Sequence, residues 1–164
     1  ANVVIFNSLS KRSNLPGLRS GFAAGDPDFI ARLVQFRNVA GPQMPLPVQA
    51  ASTAIWADEA HVVASRSVYQ AKFAMVEQIL GNRTGVRPPD GGFFLWVEVT
   101  RFGGSENAAV TIWKRAGVRV LPGAYLSFVG AGDADPGRDY IRIALVHDLE
   151  TTRDALERLV EILA

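Results

Sequence analysis

Residues 3–24 read Val3-Val4-Ile5-Phe6-Asn7-Ser8-Leu9-Ser10-Lys11-Arg12-Ser13-Asn14-Leu15-Pro16-Gly17-Leu18-Arg19-Ser20-Gly21-Phe22-Ala23-Ala24. The opening run is apolar and rich in branched and aromatic residues, the character of a strand buried on both faces. Pro16-Gly17 is the strongest turn signal after it, and Phe22-Ala23-Ala24 is long enough for a second strand. The segment therefore predicts strand, turn-rich loop, strand. Nothing before Val3 could serve as a sheet neighbour, so the chain is expected to begin in mid-sheet. No basic leader with a cleavage site precedes it, and nothing points to export.

Lys11 stands just past the end of the first strand, where α/β proteins usually bind ligands. Burial of its stem would disfavour the ammonium, as a Schiff-base lysine requires. Ser8, Ser10 and Arg19 can supply hydroxyl donors and a forked guanidinium, a set suited to a phosphate dianion. A solvated loop lysine among turn-forming serines accounts for the same composition. Ser8-Leu9-Ser10-Lys11 also satisfies the S-x-x-K pattern of penicillin-recognising serine hydrolases. Asn14 and Pro16-Gly17 break any helix within two turns, and no S-D-N follows, so the context of that motif is missing. Gly130-Ala131-Gly132 lacks the third glycine of a dinucleotide site.

Outward from the loop, Asp26-Pro27 opens a helix with Phe29, Ile30, Leu33, Val34 and Phe36 on its apolar face, ending before Gly41-Pro42. A second helix is expected over Val48–Trp56. A longer one follows Asp58, with Val62, Tyr69, Phe73, Val76 and Leu80 at helical spacing and Gly81-Asn82 as its stop. Composition then changes, and a domain boundary is expected near residues 58–81. Arg87-Pro88-Pro89-Asp90-Gly91-Gly92 leads into a strand, Phe93–Val99. Ser105 is expected to cap a helix with Ala109, Ile112, Trp113 and Ala116 inward, ended by Gly117. Val118–Leu121 and Asp139–Leu145 read as strands, and Asp148 begins a terminal helix with Leu149, Leu156, Leu159, Val160 and Leu163 inward. In Tyr140-Ile141-Arg142-Ile143-Ala144-Leu145, alternation puts Ile141, Ile143 and Leu145 on one face and Arg142 on the other. There Arg142 faces either water or a cleft, and its planar fork is a natural carboxylate clamp.

The whole chain has 164 residues, enough to bury a core, and its 48% hydrophobic against 20% charged content argues against disorder. The longest uncharged stretch, Asn38–Ala57, holds three prolines, so no spanning helix is expected and no membrane partner. A formal charge of +1 with scattered arginines makes nucleic acid an unexpected partner. With no cysteine, and His61 and His147 far apart, no metal site is expected and both histidines read as structural.

Ser8-x-Ser10-Lys11 with Pro16-Gly17-x-Arg19-x-Gly21 resembles the active-site lysine loop of the class I/II, aspartate-aminotransferase-like, pyridoxal-phosphate enzymes. Pro89-Asp90-Gly91-Gly92-Phe93-Phe94, Val118-x-Val120-x-Pro122-Gly123 and Tyr140-Ile141-Arg142-Ile143-Ala144 resemble that family's small-domain signatures in the same order. The wording of Leu9–Phe22 is most similar to succinyldiaminopimelate aminotransferases. The resemblance implies an α/β chain: residues 1–58 as the tail of the fold type I cofactor-binding large domain, 59–80 as a connecting helix, and 81–164 as the α+β small domain. It implies pyridoxal 5'-phosphate as cofactor, linked to Lys11, with Arg19 and Ser8 on its phosphate and Ser10 assisting. Arg142 would hold the substrate α-carboxylate. Amino-acid and 2-oxo-acid substrates, a cytoplasmic homodimer and a missing N-terminal region of the same enzyme are implied with it. That region supplies, in the family, the aspartate opposite the pyridine nitrogen, the ring-stacking aromatic and the rest of the phosphate cup, so this chain alone is expected to be inactive. The alternative is a non-catalytic binding module on the same fold.

Overall fold

The computed structural model describes residues 2–41, 43–130 and 132–164. Ala1, Pro42 and Ala131, which carry the chain start, half of the Gly41-Pro42 stop and the middle of Gly130–Gly132, lie outside the described residues. The chain divides into two compact units, Ala1–Ser65 and Arg66–Ala164.

In the first unit, β1 (Val4–Ser8) pairs antiparallel with β2 (Gly21–Gly25), Val4 opposite Gly25 and Ser8 opposite Gly21. The expected strand, loop, strand is there, but β1 is not buried on both faces: Ile5 is 58% and Phe6 68% exposed. A two-stranded ribbon has only one neighbour per strand and cannot cover its own faces. The connecting stretch is more ordered than a loop, with α1 (Leu9–Arg12) followed by a 3₁₀ turn, Pro16–Leu18. Leu9, fully buried, anchors α1. Asp26 caps α2 (Pro27–Ala40) by accepting from the Phe29 amide at 3.1 Å. The apolar face expected on α2 is not buried, and Phe29, Val34 and Phe36 are exposed. Next come α3 (Leu46–Ala57) and α4 (Ala60–Val76), within which the division between units falls.

In the second unit, helical backbone continues past the expected stop at Gly81. It widens into a π turn, Glu77–Gly81, and ends after α5 (Asn82–Thr84) at Gly85, whose φ of 75° is the left-handed cap conformation. Gly81 stays right-handed, with φ −55°. The sheet is antiparallel in the order β3-β5-β4, from β3 (Phe94–Glu98), β4 (Leu121–Pro122) and β5 (Tyr140–Ala144). The strand expected over Val118–Leu121 is reduced to Leu121–Pro122, and the ladder stops at Pro122, which has no N–H to extend it. A side chain on the next residue, Gly123, would collide with the carbonyls of Gly137 and Tyr140. Gly104, not Ser105, is the N-cap of α6 (Ser105–Ala116). Ser105 is buried as the first helical residue, and its amide donates to the Arg138 carbonyl at 2.6 Å. Ala108, Ile112 and Ala116 face inward, whereas Trp113 is 54% exposed, contrary to expectation. Asp148 caps α7 (Leu149–Leu163), and Leu156, Leu159, Val160 and Leu163 are buried as expected, while Leu149 is exposed. The core of this unit joins those residues to Leu80, Leu95, Val97, Ile141 and Ile143.

Candidate active site

Lys11 is the third residue of the single turn α1, and Ser8 is its N-cap. The Ser8 hydroxyl accepts from the Ser10 amide at 3.1 Å and lies 3.0 Å from both the Ser10 hydroxyl and the Ser20 carbonyl. The Leu9 amide donates to the same carbonyl at 3.1 Å, so Ser8-Leu9 is tied to the residue that follows Arg19. Ser20 is itself buried, its hydroxyl 2.7 Å from that of Ser52 of α3. These ties follow from local sequence: a serine at a helix start satisfies an orphan amide, and the one-turn helix must end because Asn14, with φ 54°, reverses the chain.

Of the two settings open to Lys11, a buried stem or a solvated loop, the structure has the second: Lys11 is exposed. Leu9 takes the inward position of a helix too short to bury two faces. Arg19 is also exposed, holds the left-handed φ of 50° and donates from Nη1 to the Pro16 carbonyl at 2.9 Å. It lines a concavity of about 640 Å³ with Asn7, Gly21, Phe22 and Arg37, whose lining does not include Ser8, Ser10 or Lys11. The structure thus gathers Ser8, Ser10 and Lys11 on one turn and sets Arg19 at the far end of the same closed loop. Two clustered hydroxyls, a primary amine and a guanidinium on one tied loop fit, in donor chemistry, an aldehyde that carries a phosphate.

Arg142 belongs to the second unit. Alternation on β5 is as expected: Ile141, Ile143 and Leu145 are buried, and Arg142 is half-buried on the other face opposite Trp96 of β3. Its guanidinium lies 4.4 Å from the centre of the Phe94 ring. Trp96 and Tyr140 stack beside it, 5.6 Å apart at an interplanar angle of 12°. Among the described residues its guanidinium has no hydrogen-bond or ion-pair partner, so an aromatic shelf orients a fork whose N–H groups remain open to a planar anion.

One participant goes unseen in the sequence reading. His61, read as structural, reaches the lysine turn: its Nε2 is 2.9 Å from the Ser13 hydroxyl and its Nδ1 is 2.9 Å from Asp58 Oδ2. The Asp58 carboxyl is held below the ordinary aspartate range, first by the hydrogen bond from His61 and next by the Ala60 amide. The i, i+3 spacing of Asp58 and His61 at a helix start was the available signal for the first contact; nothing local announces the second.

The model of the family "Aminotransferase class I and II" matches residues 1–159. The transaminase OxyQ of Streptomyces rimosus, named for 4-dedimethylamino-4-oxo-anhydrotetracycline, is 41% identical over 156 residues, covering 93% of this chain and 40% of that protein. The crystal structure of an aminotransferase from Neisseria meningitidis superposes with a TM-score of 0.87 at 42% identity, over 98% of this chain and 40% of that one. A probable N-succinyldiaminopimelate aminotransferase from Thermus thermophilus gives a TM-score of 0.79 at 28% identity, over 97% of this chain and 41% of that one. The chain spans about 40% of the length of these relatives. Its mixed α/β architecture matches part of their cofactor-binding domain together with the small C-terminal α+β domain. With the match running through both units, the chain belongs to the class I and II aminotransferases, the fold type I family of pyridoxal-phosphate-dependent enzymes.

Proposed function

We propose that this chain is the C-terminal part of a pyridoxal-phosphate-dependent transaminase that moves an amino group between an amino acid and a 2-oxo acid. In this reading residues 1–58 complete the cofactor domain, 59–80 connect, and 81–164 form the small domain. The rest of the cofactor site comes from an N-terminal region, and the enzyme works as a cytoplasmic homodimer. The single observation that carries the reading is the turn that holds Lys11, Ser8 and Ser10 together within a chain matched to the family over residues 1–159.

When bound, pyridoxal phosphate supplies an aldehyde and an electron-withdrawing ring. Lys11 Nζ would hold the cofactor at that aldehyde and, as a free amine, would move the proton at the substrate α-carbon. Ser8, Ser10 and Arg19 bind the phosphate, two neutral donors and one charged fork. Arg142 holds the substrate α-carboxylate, and the Phe94 ring beneath it limits the guanidinium to one plane. A diaminopimelate derivative such as the N-succinyl form is the amino donor this reading favours, supported by the wording of Leu9–Phe22 and the likeness to the Thermus thermophilus protein.

Borohydride reduction of the cofactor-loaded, full-length protein followed by peptide mass analysis tests the assignment. The pyridoxyl group is expected on Lys11. Label on another residue, or none, would overturn it.

A further inference from the structure

The residues just after Lys11 are held by a second set of contacts. Arg12 is 13% exposed in its side chain, donates from Nη1 to the Ile55 carbonyl and the Ser13 hydroxyl, both at 3.3 Å, and pairs with Glu59. Its guanidinium lies 4.7 Å from the centre of the Trp56 ring. Ser13, 9% exposed, meets His61 Nε2, and His61 Nδ1 meets Asp58. Asp58 Oδ1 in turn accepts from the Ala60 amide at 2.9 Å, at the start of α4. Arg12, Ser13, Ile55, Trp56, Asp58, Glu59 and His61 all belong to the first unit.

The donors and acceptors of this chain run in one direction. A guanidinium can only donate, so the Ser13 oxygen accepts from Arg12 and its own O–H is left to give. An ionised carboxylate can only accept, so Nδ1 of His61 carries the proton shared with Asp58. Nε2 is then bare and takes the Ser13 O–H. The neutral tautomer of His61 satisfies every group between the cation Arg12 and the anion Asp58. A Ser-His-Asp constellation invites comparison with a hydrolytic triad, but the Ser13 amide donates to the Leu9 carbonyl at 3.1 Å and is not available to an oxyanion. Ser13 is also nearly buried.

We propose that His61, oriented by Asp58, is a positioning residue for the lysine turn: through Ser13, with Arg12 as brace, it fixes where Lys11 stands relative to the start of α4. The role of Lys11 as attachment point rests on the function proposed above; the relay that holds its turn does not. Ser13 is the side chain through which the turn is held just before the chain reverses at Asn14, and the Leu15 amide then ties back to the Leu9 carbonyl at 3.2 Å.

The test uses the full-length protein in three measurements. Nitrogen NMR of neutral His61 should show a protonated Nδ1 and a bare Nε2; the opposite tautomer overturns the relay without any mutation. His61→Asn keeps a donor toward Asp58 but cannot reach Ser13, whereas His61→Gln places an amide oxygen near the position of Nε2. Amide exchange over residues 11–15 should quicken about tenfold in His61→Asn and Ser13→Ala and return toward wild type in His61→Gln. Borohydride trapping of pyridoxal phosphate on Lys11 should slow about fivefold in the same two variants and recover in the third. Unchanged exchange in His61→Asn, or a Gln variant no better than Asn, overturns the proposal. Trapping of wild type on a lysine other than Lys11 defeats the Lys11 assignment instead, and exchange still decides the relay.

Discussion

Arg142 shows how one side chain can be fixed by its strand and freed by its neighbours. The pleat of β5 sends Ile141 and Ile143 into the core and leaves Arg142 on the other face, over Phe94 and without an acidic partner among the described residues. Replacing it by Lys keeps the charge but loses the fork, so in the full-length enzyme kcat/KM for α-amino acids should fall by about 2 kcal/mol or more. Steady-state kinetics on Arg142→Lys measure this, and near-normal values would return Arg142 to a solvated face. Its facing was legible in the sequence because a strand has a period of two. Lys72 was not: it falls among Tyr69, Phe73 and Val76 on the apolar side of α4, yet it is 3% exposed and donates to the Leu145 carbonyl at 2.8 Å. Burial pushes its ammonium down from the ordinary lysine range, with Asp148 opposing. His61 was illegible for the same reason, since its Ser13 contact joins residues 48 positions apart.

Among the elements, those with chemical punctuation were legible. Asp26-Pro27 and Asp148 open α2 and α7, each carboxylate accepting a first-turn amide. Gly117, with φ 65°, ends α6. Where two glycines competed, as Gly81 and Gly85 do, only the fold decides which takes the left-handed conformation. The end of β4 is set by the Pro122-Gly123 step: proline ends the ladder and glycine admits the carbonyls of Gly137 and Tyr140. Both obstacles are backbone and cannot rotate away. Gly123→Ala should therefore destabilise the second unit by about 2–4 kcal/mol, read as a lower denaturation midpoint at unchanged slope. A variant as stable as the wild type would mean that this close approach is not obligatory.

At the scale of the whole chain, the two units differ in how well each covers its own apolar surface. The second has a continuous core under its three-stranded sheet. The first leaves Ile5, Phe6, Phe29, Val34, Phe36 and Val39 exposed on a two-stranded ribbon and one helix. The sequence marked all of these but Val39 as inward-facing, which is a statement about what they need rather than about what these 164 residues provide. Expressed as this chain, the protein should self-associate through its first unit, giving a mass above 17.7 kDa by light scattering after size exclusion. A sharp monomer peak would show that these faces are tolerated in water.

The central claim is that Lys11 is the point where pyridoxal phosphate is held, on a turn built for it by Ser8, Ser10 and the Ser20 carbonyl. It is tested most directly by the absorbance spectrum of the full-length protein loaded with pyridoxal phosphate, set beside Lys11→Ala. The wild type should show the visible band of a lysine-linked cofactor, and Lys11→Ala should show only the band of the unlinked aldehyde. The same lysine-linked band in both proteins would contradict the account.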